Sequence, residues 1–239
     1  MIKESIPNKL LKLITEEEIM LFKELQRKIQ DLNHKTNLTR LIEGNDYWIS
    51  QVYDSIWPFI ENSNINFDNG KFIDIGSGCG FPGLAFAITH PNAEIYLVDS
   101  SKKKSDSLKE IIKRINFKNN IFVINDRIEN LAHQSLFRNS FNIATARAVS
   151  NPSTVSEYML PMLKDHGLGI LYCGKWGYEE NENLEKTLTV LEGRIVEIKN
   201  NFLPREKGIR NAIFIEPKAS CPDIYPRSIG KAKKYPLKG

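Results

Sequence analysis

Hydrophobic positions recur at helical spacing in the first part of the chain. Thr15 and Glu18 have the spacing of a hydroxyl and an acid that starts many helices, and the apolar residues that follow at three- and four-residue intervals are Ile19, Phe22, Leu25, Ile29 and Leu32. Over 47–60 the same periodicity places four apolar residues on one helix face, namely Trp48, Val52, Ile56 and Phe59. These patterns predict two amphipathic helices, which are followed by a polar break over 62–70.

After residue 70 the pattern changes to short apolar or β-branched runs. Seven such runs follow one another: KFIDI, AEIYLVD, IFVIND, FNIATA, LGILYCG, RIVEIKNNFL and NAIFIEPK. Helix-like segments lie between the earlier runs, over 83–90, 101–115, 128–132 and 152–163. Strands that alternate with helices indicate a parallel sheet covered on both faces. The last two runs are joined by the turn-prone PREKGIR, so they could pair as an antiparallel edge.

The sequence therefore predicts an α/β protein with a mostly parallel sheet of about seven strands and helices on both faces. We expect three parts, namely a helical N-terminal extension (1–70), the α/β domain (71–217) and a basic C-terminal tail (218–239).

A glycine-rich loop, FIDIGSGCGFPG over 72–83, follows the first predicted strand and precedes a helix. Nucleotide-type ligands bind at this place in open α/β sheets. From Gly78 the loop matches the dinucleotide pattern G-x-G-x-x-G, and from Asp74 it matches D-x-G-x-G-x-G, which is typical of S-adenosylmethionine (SAM) enzymes. Gly76, Gly78 and Gly80 lack a Cβ, which allows a sharp turn and close approach of the backbone to a ligand. The loop alone leaves both interpretations open.

Its neighbours favour SAM. Asp99, which ends the second strand next to Ser100, can accept hydrogen bonds from ribose hydroxyls of either ligand. Asp74 could orient a cationic amino-acid moiety but would repel a pyrophosphate. Phe81-Pro82 places bulk and a missing N–H where a dinucleotide needs free donors. The four histidines are scattered and suggest no acid or base for hydride transfer, which argues against an NAD-linked oxidoreductase. That class of enzyme remains the alternative.

Three polar and apolar side chains follow the third strand. Ile128 could pack on an adenine, and Glu129 or Asp126 could accept from its amino group. An ordinary helix start with an acid in its first turn explains these residues equally well.

Arg147 ends the fourth strand, where the target atom of such an enzyme would lie. The sequence there has neither the Asn/Asp-Pro-Pro-aromatic motif of amine methylation nor the Pro-Cys nucleophile of cytosine-C5 chemistry. A guanine N7 has a free lone pair and no proton to lose, so methyl transfer to it needs alignment and no general base. Arg147 could align either partner, by donating to guanine O6 or to the SAM carboxylate. A surface salt bridge is the alternative role for Arg147.

Charge is uneven along the chain. The net charge is +4, and residues 218–239 contain one acid, Asp223, and six basic residues: Lys218, Arg227, Lys231, Lys233, Lys234 and Lys238. The rest of the chain is therefore nearly neutral. A basic end on a neutral body suggests a polyanion such as nucleic acid, and a solubilising tail is the alternative.

Cysteine usage and hydropathy suggest the compartment. Cys79, Cys173 and Cys221 lie far apart, which argues against a disulfide framework or a metal site and fits a reducing environment. We find no secretory signal and no apolar window long enough to span a membrane. We expect a cytoplasmic protein.

Several motifs together carry a family resemblance from about Leu25 to the C-terminus: Asn37-Leu38-Thr39, Asp54-Ser55, the glycine loop from Asp74 to Gly83, Asp99-Ser100, Arg127-Ile128-Glu129, Arg147-Ala148, Arg210-Asn211 and Tyr225-Pro226-Arg227. With these motifs the chain resembles the family of bacterial 16S ribosomal RNA guanine-N7 methyltransferases, also called glucose-inhibited division protein B.

The resemblance implies a Rossmann-like SAM-dependent fold, a monomer, and methylation of guanine 527 in the 530 loop of the small-subunit rRNA. It implies SAM contacts at Gly76, Phe81, Ile128, Glu129 and Arg147. From its place at the end of the fourth strand we predict that Arg147 is also the catalytic residue. Asp74, Gly78, Asp99 and Ser100 complete the expected cofactor site. The basic residues would bind rRNA phosphates, and those we predict to do so are Arg210, Arg227, Lys231, Lys233 and Lys234. A non-catalytic RNA-binding assembly factor is a further alternative.

Two positions depart from the family pattern. The family usually has His-x-x-Asp-Ser, and here Gln51 stands at the histidine position. Its tail usually contains Gly-Thr-Pro-Ala-Lys, and here the residues are Gly230-Lys231-Ala232-Lys233. Both departures lie outside the glycine loop, so they bear on RNA contact or N-terminal packing rather than on the methyl-donor site.

Overall fold

The computed structural model describes residues 6–60 and 69–237. Most of the predicted polar break over 62–70 therefore lies outside the described residues. The α-helices among the described residues are α1 (Asn8–Leu11), α2 (Glu16–Thr36), α3 (Gly44–Tyr47), α4 (Asp54–Ile60), α5 (Gly83–Thr89), α6 (Lys102–Lys113), α7 (Ile128–Leu131), α8 (Pro152–Met159), α9 (Tyr178–Val190) and α10 (Lys231–Lys234).

The predicted sheet of seven strands is confirmed. Its strands are β1 (Gly70–Ile75), β2 (Ala93–Val98), β3 (Ile121–Ile124), β4 (Phe141–Arg147), β5 (Leu163–Cys173), β6 (Gly193–Phe202) and β7 (Ile209–Pro217), in the spatial order β3-β2-β1-β4-β5-β7-β6. β1 to β5 are parallel, and β7 pairs antiparallel with both β5 and β6. The strand order reverses between β1 and β4, which is where open α/β sheets bind ligands.

The first predicted helix forms as its pattern indicates. Thr15 Oγ1 accepts from the Glu18 amide at 3.2 Å, while Glu18 Oε2 accepts from the Thr15 amide at 2.6 Å. This reciprocal cap satisfies two donors at the start of α2, and its five periodic apolar residues are all buried.

The second predicted helix, over 47–60, is interrupted. α3 passes into a π-helical turn, Trp48–Tyr53, and α4 begins at Asp54. All six residues of the π-turn are buried. Apolar spacing cannot distinguish a π-turn from an α-turn, because both keep one side of the segment against the core.

Side chains alternate between the two faces of the sheet. Phe72 joins a core with α1, α2, α4, α5 and α6, whereas Ile73 joins a second core with α7, α8, α9 and α10. The N-terminal helices thus cover one face, and the C-terminal segment packs on the other through Cys221, Tyr225 and Ala232. The boundaries of the three expected parts stay a prediction, but both ends of the chain share a core with the sheet.

A buried ion pair anchors the C-terminal segment. Glu157 of α8 is fully buried, and its two oxygens accept from Arg227 Nε at 2.9 Å and Nη2 at 2.6 Å. The Arg227 amide also donates to Glu157 at 2.8 Å.

Within residues 6–60 and 69–237, no helix is long and apolar enough to cross a membrane.

Candidate active site

The glycine loop turns sharply between β1 and α5. The Gly76 and Ser77 amides both donate to the Val98 carbonyl, at 2.8 and 3.0 Å, which ties the loop to the end of β2. Gly76 has φ +74°, and a Cβ there would lie 2.6 Å from Val149 Cγ2. Only glycine therefore fits this turn, because the backbone is left-handed and the space is filled.

Asp74 lies behind this loop. Its side chain is fully buried, and its two oxygens accept from the Gly83 amide and from Thr145 Oγ1, both at 3.0 Å. Burial raises the pKa of Asp74 to about 6. Asp74 is not among the residues that line the crevice beside the glycine loop, and its two hydrogen bonds hold the loop against β4 and α5. Its predicted direct contact with the cofactor stays a prediction.

Gly83 also has a packing role. A Cβ on Gly83 would overlap Leu97 and would lie 3.0 Å from Asp74 Oδ2. The last glycine of the G-x-G-x-x-G match therefore permits close packing of a helix on a strand, which is the role of the third glycine in dinucleotide sites.

Two adjoining cavities open at the carboxyl ends of the parallel strands. The first, of about 500 Å³, lies between the glycine loop, the π-turn and the ends of β4 and β5, with Gly76, Gly78, Phe81 and Arg147 in its wall. The second, of about 230 Å³, is lined by Asp99, Ser100, Ile128 and Glu129. Both share Gly76, Lys104 and Ala148, so they form one crevice that brings together all the predicted cofactor residues except Asp74.

Asp99 has the position expected of a ribose acceptor. Its Oδ2 accepts from the Gly78 amide at 2.9 Å and its Oδ1 from the Ser101 amide at 2.8 Å. Each oxygen keeps a further lone pair for a ligand donor. These bonds also fix the glycine loop relative to α6.

Glu129 connects the second cavity to the C-terminal segment. It is 4% exposed, and its Oε1 accepts from the Gly230 amide at 3.1 Å. Glu129, in the first turn of α7, is therefore also a docking point for the loop before α10. A contact between Glu129 and adenine stays a prediction.

Arg147 reaches from β4 to the π-turn. Its Nη1 donates to the Ser50 carbonyl at 2.9 Å and to Asp54 Oδ2 at 3.3 Å, and its Nη2 donates to Gln51 Oε1. Gln51 in turn donates to Thr39 Oγ1 at 3.1 Å. The side chain of Arg147 is only 15% exposed. Its head is therefore held in the wall of the first cavity and is no ordinary surface arginine.

The predicted RNA-binding residues divide into three groups. Arg210 lines the first cavity, and its Nε donates to Asp54 Oδ2 at 3.3 Å. Arg227 is engaged by Glu157, which leaves its side chain 19% exposed. The remaining three lie exposed on α10 and outside both cavities: Lys231, Lys233 and Lys234. The RNA contacts of all five residues stay predictions. For Arg227 the structure shows a partner within the protein, Glu157.

The cysteines near the site are poor nucleophiles. Burial raises the pKa of Cys79, and it raises the pKa of Cys173 to about 12. Both thiols therefore stay protonated at neutral pH, and neither offers a thiolate nucleophile to the first cavity. Among the described residues no group of three or more His, Cys, Asp or Glu side chains could hold a metal ion.

Sequence reasoning missed several residues of the first cavity. Asp54, Ser50 and Lys104 line it, yet each lies in a segment whose apolar pattern predicts only a helix. The Asp54-Ser55 motif was a signal, but it indicated no role, because the partner of Asp54 lies 93 positions away.

Comparison with known proteins identifies the family. A model of the rRNA small subunit methyltransferase G family matches residues 18–207. A ribosomal RNA small subunit methyltransferase G from Prochlorococcus marinus subsp. pastoris (strain CCMP1986 / NIES-2087 / MED4) is 81% identical over 239 residues, all of both chains. Another from Prochlorococcus marinus (strain MIT 9312) is 72% identical over 235 residues, 98% of this chain and 99% of that one.

A solved structure shares the fold alone. It is the branched-chain polyamine synthase from Thermus thermophilus in complex with N4-aminopropylspermidine and 5'-methylthioadenosine, with a TM-score of 0.51 and 12% identity. The match covers 64% of this chain and 52% of that chain. By the family match and the high identity over the full length, this chain belongs to the rRNA small subunit methyltransferase G family.

Proposed function

We propose that this protein transfers a methyl group from SAM to N7 of a guanine in 16S rRNA. The observation that carries the proposal is the crevice where the strand order reverses between β1 and β4. There the glycine loop and Asp99 lie on one side and Arg147 on the other. Family membership supports the methyltransferase class, and the resemblance in sequence motifs supports the guanine N7 of the 530 loop as the target.

The residues of the crevice fit SAM. Asp99 offers lone pairs to ribose hydroxyls, and Ile128 with Glu129 would border the adenine in the second cavity. Gly76 and Gly78 leave the loop backbone free of side chains next to the first cavity, where the methionine part would lie. Bound there, SAM supplies a methyl group on a positively charged sulfur.

The protein's own contribution is alignment. Guanine N7 carries a lone pair and loses no proton, so the reaction needs no general base. The protonated thiols of Cys79 and Cys173 fit this chemistry, since no covalent intermediate is needed. Arg147, held by Ser50, Gln51 and Asp54, presents its remaining N–H donors to one reactant in a fixed orientation.

The partner is the small ribosomal subunit or its precursor, and we expect a monomer that acts in the cytoplasm. Arg210 in the lining of the first cavity and the exposed lysines of α10 would contact rRNA phosphates. Such contacts position an RNA without reading its sequence.

The test is methyl transfer to small subunits that lack the modification. Purified protein, SAM with a labelled methyl group and subunits from a strain without this enzyme should yield one 7-methylguanine, located by nuclease digestion and mass spectrometry. Heat-inactivated protein is the control. Absence of incorporation would defeat the proposal, and a label on another atom or base would correct the target.

A further inference from the structure

Asp54 is a buried carboxylate with one oxygen unused. It begins α4, lines the first cavity, and has a side chain that is 6% exposed. Arg147 Nη1 and Arg210 Nε both reach its Oδ2, each at 3.3 Å. Its Oδ1 is buried and accepts no hydrogen bond from any residue within 6–60 and 69–237.

An unpartnered buried acceptor destabilises a fold unless a ligand or water supplies a donor. The two guanidinium groups compensate the charge of Asp54 through one oxygen only. Asp54 itself lines the cavity that the glycine loop and Arg147 also border. The site is therefore built to receive a group that carries an N–H or O–H donor.

The contact between Asp54 and Arg147 narrows the choice of donor on the ligand. Arg147 and Asp54 place a hydrogen-bond donor beside an acceptor. Guanine presents the matching order on its edge, with the O6 acceptor beside the N1–H donor, whereas adenine presents an amino donor beside the N1 acceptor. N7 lies on the far side of O6 from N1 and stays free.

We propose that Asp54 accepts a hydrogen bond from N1–H of the target guanine while Arg147 donates to its O6, which makes this pair the determinant of base specificity. The inference rests on the proposed function and adds the residues that select the base. A donor–acceptor pair of this kind rejects the wrong base by about tenfold to a hundredfold.

Base analogues in the substrate test this without changing the protein. Small subunits are reconstituted with guanine, inosine or 2-aminopurine at the target position, and each methylation rate is divided by the reactivity of that N7 toward dimethyl sulfate. Inosine keeps O6 and N1–H, so its rate should stay comparable to that of guanine. 2-Aminopurine lacks both, so its rate should fall about tenfold to a hundredfold. Equal corrected rates for guanine and 2-aminopurine would overturn the inference.

The variant Asp54→Asn assigns the effect to the residue. It keeps the shape but offers an amide, so the ratio of the guanine and 2-aminopurine rates should fall by about tenfold, with SAM affinity in calorimetry unchanged. A merely structural role would slow both bases alike and leave the ratio intact. Asp165→Asn, an exposed acid at the start of β5, is the matched control and should behave as wild type.

Other outcomes are equally decisive. Weaker SAM binding by Asp54→Asn with an unchanged base ratio would overturn the inference and assign Asp54 to the amino group of the methyl donor. If wild-type protein methylates no guanine at all, the proposed function fails rather than the role of Asp54. If Asp54→Asn does not fold, 1-methylguanine at the target position decides with wild-type protein, because it keeps O6 but has no N1–H. An undiminished rate with this base would overturn the inference.

Discussion

Two arginine–carboxylate pairs in this molecule have a buried carboxylate and a largely buried arginine. Glu157–Arg227 fastens the C-terminal segment to α8, and both carboxylate oxygens accept hydrogen bonds at 2.6 to 3.2 Å. Asp54–Arg147 lies in the wall of the first cavity, where the contact is 3.3 Å and one oxygen has no partner among the described residues. The first pair uses both carboxylate oxygens within the protein, whereas the second leaves one buried oxygen of Asp54 without a partner among the described residues.

The difference shows how similar residues serve structure in one place and ligand binding in another. A buried ion pair is stable when all its lone pairs and protons are used. An incomplete pair leaves a buried acceptor unused, and this acceptor destabilises the site until a ligand or water supplies a donor.

The largest effect should follow from breaking the complete pair. Arg227→Ala leaves the charge of Glu157 buried without compensation, so we expect a loss of about 3–5 kcal/mol in the free energy of unfolding, measured in urea. Arg194→Ala is the matched control, since Arg194 is exposed in its pair with Glu216 and should lose less than about 1 kcal/mol. Equal losses in the two variants would show that Arg227 does not anchor the segment.

Breaking the incomplete pair should affect turnover more than stability. Arg147→Ala removes the aligning donor, so kcat/KM on small subunits should fall at least tenfold and by up to about a hundredfold. The fold should persist because Arg210 still contacts Asp54. Circular dichroism and unfolding check the fold, and Arg114→Ala, just after the end of α6, serves as the exposed control. Near-normal activity of Arg147→Ala would contradict the catalytic assignment.

A third buried carboxylate, Asp74, accepts hydrogen bonds from the Gly83 amide and the Thr145 hydroxyl. Burial raises its pKa to about 6, above the unfolded value near 3.9. The folded protein therefore binds this proton more tightly between about pH 4 and 6, and the contribution of Asp74 to stability falls as pH rises through that window.

Asp74→Asn keeps acceptor and donor capacity for Gly83 and Thr145 but does not titrate. The free energy of unfolding of wild type minus that of Asp74→Asn should fall by roughly 2 kcal/mol from about pH 4 to 7. Urea unfolding at several pH values measures both proteins. Parallel curves would show that Asp74 titrates normally.

The smallest effect concerns exposed cations, which form no buried pair. Replacing Lys231, Lys233 and Lys234 by Gln should leave stability unchanged and reduce the salt dependence of rRNA binding, by up to about 0.9 in the log–log slope for each lost phosphate contact. Substitution is preferable to truncation, because Ala232 is buried and the Leu237 carbonyl accepts from Thr187. The same replacement at Lys109, Lys113 and Lys164 is the control. Equal log–log salt slopes in both variants would contradict RNA contact by α10 and favour a solubilising role for its lysines.

Most of the fold could be predicted from the sequence, because periodicity reports which side of each segment is buried. The seven strands, the antiparallel pair formed by β6 and β7, and the capped helix α2 followed from local patterns and are confirmed. The π-turn was not predictable in this way, since it shares its apolar spacing with an α-helix. The packing of 218–237 was also missed, because short basic segments carry no periodic signal.

The site divides along a similar line. The glycine loop, Asp99 and the strand-end Arg147 follow from position in the α/β pattern, and the structure does bring them to one crevice. The place of Asp74 behind the loop and the partner of Arg227 could not be predicted from the sequence. A carboxylate or a guanidinium group can bind a ligand or another side chain of the protein, and the residue type does not distinguish the two.

By itself, the sequence determined the α/β class, the glycine turn after β1 and the presence of an arginine at the end of β4. Only the tertiary structure decided which carboxylate each arginine contacts. Asp54 and Arg147 are 93 positions apart, and Glu157 and Arg227 are 70 apart. Local patterns extend over a few residues along the chain, whereas hydrogen bonding depends on distances in space that the packing of helices on the sheet sets.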